Sequence, residues 1–427
     1  MTPEAVSATS DRRGDFQYGV LGSLLSVVDK DAEEKPQDPR LYINTNAPFS
    51  ALVCGVQGAG KSHTVAAMLE SMFIRDVRIG SLRQPLCGLV LHRSDGGLES
   101  NPSEAAWLAV PNSPDTVTPK VQVYVSPSSI KTMRAVYAPL GKAVVIRPLH
   151  FTEDELDAEA FLMMMSVGSS DGAPLYMQIL LAILRELGEN YSFSAFLRRL
   201  DEQKRDFNPA QLAGLKQRMA LLESFLDRKS LKVSVGPSRF AAGQVTIVDL
   251  SDPFIDPSGA CGIFQVVMRL FVRSKVDTGK VLVVDEAHKY LSASKGLTIS
   301  LLTLIREQRH KAMRVIISTQ EPTVVPPTLI SLCSVAILHR FSSPSWCEHI
   351  ANHVSADLST TVAFERVVTL HTGEAVMLAP SGIQMQSGKT SPTSQSGRTL
   401  GHFGRRYLHI RTRQRITRDG GASRTVL

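Results

Sequence analysis

The stretch "GVQGAGKS", Gly55 to Ser62, satisfies G-x-x-x-x-G-K-[ST] and stands between an apolar strand-like run and a segment of helical period. Gly55, Gly58 and Gly60 let backbone N–H groups turn inward around phosphates, with Val56, Gln57 and Ala59 completing the loop, and the following helix adds its positive end. Lys61 is placed to reach β- and γ-phosphates, and Ser62 to coordinate Mg²⁺. A second stretch, "KVLVVDEAHKYL" (280–291), carries two carboxylates out of four consecutive apolar β-formers. Asp285 is placed to hold Mg²⁺ through its hydration shell, while Glu286, pointing the other way, can polarise a water aimed at the γ-phosphate. The glutamate argues for hydrolysis rather than binding alone. His288 reads as a local helix-start or loop residue, and without a second His or Cys at metal spacing no zinc is assigned.

A third stretch, "LIREQRHKAMRVIISTQEP" (304–322), ends a helix in arginines and a strand in a glutamine. Gln320, an amide that both donates and accepts, is suited to report whether a γ-phosphate or its attacking water is present. Arg306 and Arg309 favour a helix C-terminus on a single chain; in a ring such arginines can reach a neighbour's phosphates.

These residues need a sheet edge to converge on. Apolar, β-rich runs recur at 49–55, 86–92, 142–148, 243–250, 280–286, 313–319, 334–340 and 373–380, and segments of helical period lie between most of them. Continuous rather than alternating apolar strands imply a parallel sheet covered on both faces, hence an α/β fold. Strand 313–319 is expected beside the one that carries Asp285, which brings Gln320 to the same edge. Residues 93–141, rich in Pro, Ser and Asn, fit an irregular excursion with one short strand, and 152–232 fit a helical insertion. Residues 1–40 read as a loosely ordered lead-in to a core over 41–382, 383–400 as a Ser/Gly-rich linker, and 401–427 as a basic tail.

The order "GVQGAGKS", "QVTIVDLSD", "VLVVDEAHKYL", "LIREQRHKAMRVIISTQEP", "SLCSVAILHRF" resembles the HerA/FtsK superfamily of RecA-like motor ATPases, over roughly residues 41–382. The resemblance implies a RecA-like P-loop core, ATP and Mg²⁺ as cofactors, and a homo-oligomeric, hexameric ring around DNA. It makes Gln320 the sensor and Arg309 the trans finger, with Arg306 and Arg340 as further candidates. About fifty residues precede the phosphate loop here, so neither the N-terminal β-barrel of HerA-type proteins nor an FtsK-type membrane anchor is expected within these residues. Where the family carries an Asp-x-His/Lys-Gly turn, this chain has Asp95-Gly96-Gly97. Secretion-type ATPases that act on polypeptide resemble the same core, and a nucleotide-switched interaction module with slow turnover also fits the motifs.

Composition sets outer bounds. The 427 residues, 43% apolar and 20% charged, are long enough to bury a large core and balanced as in a globular protein. No apolar run reaches the eighteen or so residues that span a bilayer, and no signal peptide is evident. Five cysteines, at 54, 87, 261, 333 and 347, show no C-x-x-C pairing, so free thiols in a reducing, intracellular compartment are expected, cytoplasmic or nuclear in a eukaryote. Of the net charge of +7, residues 401–427 carry seven arginines against one acid, Asp419. "FGRRYLHIRTRQRITRDGG" could be a strand with one basic face or a flexible tail, either solvated or in contact with nucleic acid.

Overall fold

A computed structural model describes residues 1–10, 16–29, 32–97, 100–165, 176–203, 207–226, 238–354, 361–387 and 398–421. The strands, in chain order, are β1 (Tyr18–Asp29), β2 (Ala32–Glu34), β3 (Arg40–Asn44), β4 (Ser50–Cys54), β5 (Gly80–Ser81), β6 (Cys87–His92), β7 (Lys120–Val125) and β8 (Val144–Pro148). They continue with β9 (Gln244–Asp249), β10 (Lys280–Val284), β11 (Met313–Thr319), β12 (Val335–Leu338), β13 (Glu374–Leu378), β14 (Ile383–Ser387), β15 (Arg398–His402) and β16 (Tyr407–Thr412).

One large sheet runs β2-β1-β16-β13-β12-β4-β11-β10-β6-β9-β7-β8, with β3 and β5 also paired to β1. From β12 to β8 every neighbour is parallel; from β12 to β1 and its partners every neighbour is antiparallel. The continuous apolar text has a direct cause in this arrangement. In β10, Leu282 and Val284 enter one core while Val281 and Val283 enter the other, so no position faces water. Helices Pro257–Arg273 and Lys295–Glu307 cover the first face, and helix Lys61–Phe73 the second. This is the α/β architecture that the strand and helix rhythm implies, in the RecA-like P-loop form that the resemblance implies.

Segment 152–232 supplies helices Ala158–Met165, Tyr176–Leu187, Phe193–Gln203 and Pro209–Ser224, which bury Phe161, Ile183, Phe196 and Leu222 in the first core. Asn208 and Gln211 start the last of these with a reciprocal capping box. The excursion 93–141 holds β7, which is not peripheral: it lies between β9 and β8.

The two ends of the chain depart from expectation. Among the described residues of 1–40 the chain is not a loose lead-in, because β1 buries Leu21, Leu24 and Val28 and pairs with β16, nearly four hundred residues away. Of 401–427, residues 407–412 take the strand alternative rather than that of a flexible tail: β16 fills the gap between β1 and β13, with Leu408 and Ile410 at no more than 1% exposure, and 422–427 lie outside the described residues. Of the expected linker, 383–387 and 398–400 belong to the β14–β15 pair, and 388–397 lie outside the described residues. The five cysteines are free thiols. Among the described residues no helix is long and apolar enough to cross a membrane.

Candidate active site

The carboxyl ends of β4, β10 and β11 meet at one edge, where parallel sheets place their ligand sites. β4 releases the chain into the phosphate loop. Gly55, Gly58 and Gly60 all take positive φ, at 148°, 74° and 111°. At Gly60 a Cβ would come within 3.0 Å of the Gly373 nitrogen, and at Gly55 within 2.7 Å of the His339 Cβ, so neither position admits a side chain. Backbone bonds fix the loop: Val56 N donates to the Arg340 carbonyl at 3.0 Å, and Gly373 N to that of Ala59 at 3.2 Å.

Helix Lys61–Phe73 begins at Gly60 with no side-chain cap, which leaves first-turn N–H groups to an incoming anion. Lys61, 5% exposed, rests its ammonium on the Val56 carbonyl at 2.9 Å. Burial lowers its pKa, opposed by the charges of Glu286, Cys54 and Asp285. A buried cation held by one loop carbonyl and facing carboxylates is matched to a phosphate.

Asp285 is buried at the end of β10, and its Oδ2 lies 3.0 Å from His92 Nδ1, at the end of β6. Burial raises the carboxyl pKa, but the hydrogen bond and charge of His92 outweigh it and hold Asp285 below its ordinary value. For His92, burial opposes protonation, yet Asp249, the bond to Asp285 and the charges of Asp285 and Glu286 push it up to about 9. Tyr137 donates its hydroxyl to Asp249 Oδ2 at 2.7 Å and so extends the buried chain away from the site. Sequence reasoning missed His92 and Asp249; both are strand-end polar residues, and pairing of β6 between β10 and β9 is what joins them. Asp95 takes no part: its side chain is 92% exposed and pairs with Lys289.

Glu286 turns back from Asp285 through a left-handed conformation, φ 51°. Its Oε2 accepts from Gln320 Nε2 at 2.9 Å, which brings base and sensor candidates together as their neighbouring strands imply. His288 stands 3.4 Å from the same oxygen. Ser62 and Asp285 line one small cavity together with Glu104. One ionised carboxylate and one hydroxyl is the donor set of an Mg²⁺ that takes its remaining ligands from water and phosphate, so the residues fit that ion.

The arginines divide differently. Arg309 is exposed in the turn beyond helix Lys295–Glu307, where β11 begins, and Arg306 is exposed one turn earlier. Seven residues of β11, roughly 20 Å at about 3.3 Å each, separate that edge from Gln320. Neither arginine lies at its own chain's phosphate loop. Arg340 is beside that loop through its carbonyl, with its side chain exposed. Its neighbour His339 is buried, joined to Thr64 Oγ1 at 3.0 Å and the Glu374 carbonyl at 2.9 Å.

The C-terminal arginines also have internal partners. Arg413 donates to Glu70 on the phosphate-loop helix at 2.5 Å, and Arg415, 7% exposed, pairs with Glu104 and faces Glu70. Glu70, fully buried, further accepts from the backbone of Ile416 and Thr417 and from the Thr417 hydroxyl.

Fold and site together define a RecA-like P-loop architecture, the fold that the motif resemblance implies. No protein-family model and no curated protein sequence matches the chain. Among solved structures it is similar to VirB4 of Thermoanaerobacter pseudethanolicus, with a TM-score of 0.51 at 11% identity, over 92% of this chain and 97% of that one. Looser superpositions include the genome packaging NTPase B204 from Sulfolobus turreted icosahedral virus 2 in complex with ATP-gammaS. It gives a TM-score of 0.31 at 11% identity, over 79% and 93% of the two chains. The cytoplasmic domain of the Thermomonospora curvata type VII secretion ATPase EccC gives 0.33 at 11%, over 93% of this chain and 28% of that one. At such identities the likeness speaks for the fold alone, and the two looser matches carry no weight below.

Proposed function

We propose that the chain hydrolyses ATP and, assembled as a ring, couples turnover to movement or remodelling of DNA. The observation that carries the hydrolytic part is Glu286, held by Gln320 at 2.9 Å beside Asp285 at the phosphate-loop edge of the sheet. Binding alone requires the loop and one aspartate; a second carboxylate oriented by an amide is the equipment for directing a water.

In this reading the loop N–H groups and Lys61 bind and orient the phosphates, Lys61 leaving the Val56 carbonyl for them. Mg²⁺, held by Ser62 and Asp285, supplies charge neutralisation when bound. His92 keeps Asp285 ionised and aimed. Gln320 occupies Glu286 Oε2, leaving Oε1 to accept a proton from the attacking water. Arg309, remote from its own phosphate loop, serves a neighbour's site in the ring, which ties turnover to assembly.

The cargo assignment rests on the motif resemblance. The C-terminal arginines give it less support than their sequence suggested, since Arg413 and Arg415 are spent on Glu70 and Glu104. That favours keeping polypeptide as the second reading. ATPase rate with and without double- and single-stranded DNA, measured alongside particle size with ATP bound, tests both. Stimulation by DNA with growth to a ring is expected. Hydrolysis indifferent to DNA but raised by a polypeptide partner would transfer the assignment to the second reading, and absence of hydrolysis by an assembled chain would refute the first step.

A further inference from the structure

Glu286 has a second neighbour that the hydrolytic reading does not use. His288 sits in the 3₁₀ turn Ala287–Lys289 with its side chain 18% exposed. The Gln320 backbone N–H donates to His288 Nδ1 at 3.4 Å, and His288 Nε2 lies 3.4 Å from Glu286 Oε2, the oxygen that Gln320 Nε2 reaches at 2.9 Å. The ring therefore bridges the end of β11 to the glutamate that follows β10.

The direction of each contact follows from imidazole chemistry. A neutral ring has one N–H and one lone pair, and a backbone N–H aimed at Nδ1 leaves the proton on Nε2, facing the carboxylate. Burial lowers the His288 pKa, against the attraction of Glu286 and with help from Lys289 and Lys61, which keeps the ring neutral. Both contacts are longer than a mature hydrogen bond. Catalytic hydrogen bonds commonly tighten once substrate is in place. Glu286 also needs holding, because a non-glycine residue at φ 51° sits in left-handed backbone territory that L side chains disfavour.

We propose that His288 is a positioning residue for Glu286: with Gln320 it fixes Oε2 from two sides, so that the strand end which senses phosphate and the carboxylate which directs water move as one unit. This rests on the hydrolytic reading of Glu286. Gln320 is thereby tied to the base twice, once through its amide and once through its backbone by way of the ring.

Two measurements test it. Ring ¹⁵N NMR of His288 in the full chain at neutral pH, assigned through its sequential contacts, is expected to give the Nε2–H tautomer with Nδ1 as acceptor. An Nδ1–H tautomer or an imidazolium would overturn the bridge. Steady-state ATPase kinetics then separate position from bulk. His288→Ala is expected to lower kcat about tenfold or more with KM for ATP unchanged. His288→Gln, whose amide nitrogen reaches the Nε2 position, recovers most of the loss; His288→Asn, which reaches only to Nδ1, does not. Equal rates for the Asn and Gln forms, or a change confined to KM, would overturn the role. An intact chain that hydrolyses no ATP refutes the hydrolytic reading and this inference with it, whereas normal hydrolysis by His288→Ala refutes the positioning role alone.

Discussion

The parallel and antiparallel halves of the sheet share an apolar core, but among the described residues only the antiparallel side adds a buried ionic cluster to the phosphate-loop helix. From β4 through β11, β10 and β6 to β9 the strands are buried on both faces, largely by aliphatic side chains, and helices sandwich them. From β13 to β1, Leu21, Leu24, Leu408 and Ile410 share a core with the phosphate-loop helix, and buried polar contacts to that helix are added. Thr412 Oγ1 meets Thr64 Oγ1 at 2.7 Å, and Arg413 and the 416–417 backbone converge on Glu70. One half carries the candidate reacting groups Asp285, Glu286 and Gln320, and the other braces, from behind, the helix on which Lys61 and Ser62 stand. Chemistry and its support are thus separable within a single sheet.

That separation can be broken from either side. Glu70→Ala leaves Arg413 and Arg415 facing a vacated buried partner, and removing one member of a buried ionic cluster costs about 3–5 kcal/mol. A large fall in Tm is expected, with the rate per folded molecule retained, while Lys61→Ala should abolish nucleotide binding at nearly unchanged Tm. Loss of Tm in the Lys61 form, or its retention in the Glu70 form, would erase the division; calorimetry with nucleotide titration reads both.

A smaller effect lies at the seam. Burial, aided by the charges of Lys61 and His63 and opposed by the Glu374 carbonyl, lowers His339 to about 4 from an ordinary 6.5. The unfolded chain then binds the extra proton first, so this contribution is present above pH 6.5 and is lost as pH falls towards 4. The loss amounts to ~3 kcal/mol for a shift of that size. Denaturant melts across this window should show a slope that His339→Gln flattens; an unchanged slope would remove His339 from the account. Smallest of all, Arg411→Ala breaks a pair with Glu374 whose arginine is 60% exposed. A cost below about 1 kcal/mol is expected. A larger value would mean that all the C-terminal arginines act alike, which the burial of Arg415 argues against.

The parallel half was legible because its signals are local. "GVQGAGKS" announces a loop between strand and helix, and "KVLVVDE" announces a doubly covered strand that ends in carboxylates. Gln320 could be placed beside them because consecutive parallel strands share an edge. The antiparallel half was legible only in part: the run at 373–380 matches β13, but β1 acquires meaning only from β16, and nothing within residues 18–29 names that partner. Arg413 and Arg415 misled for the same reason: charge density suggests solvent or polyanion until Glu70 and Glu104, hundreds of residues away, are seen to receive them. His92 eluded the motif search because its function arises from the register of β6 against β10.

The pairing of β1 with β16 also imposes an order in time. At about 5–20 residues per second, a nascent chain waits on the order of tens of seconds between releasing the first strand and the one that lies against it. Until then β1 and β13 expose open edges, and the helix behind the phosphate loop lacks its buried counter-charges. Nucleotide would meet a finished pocket only after β16 had docked, so the pairing makes ATP binding a late report on the folding of the whole sheet.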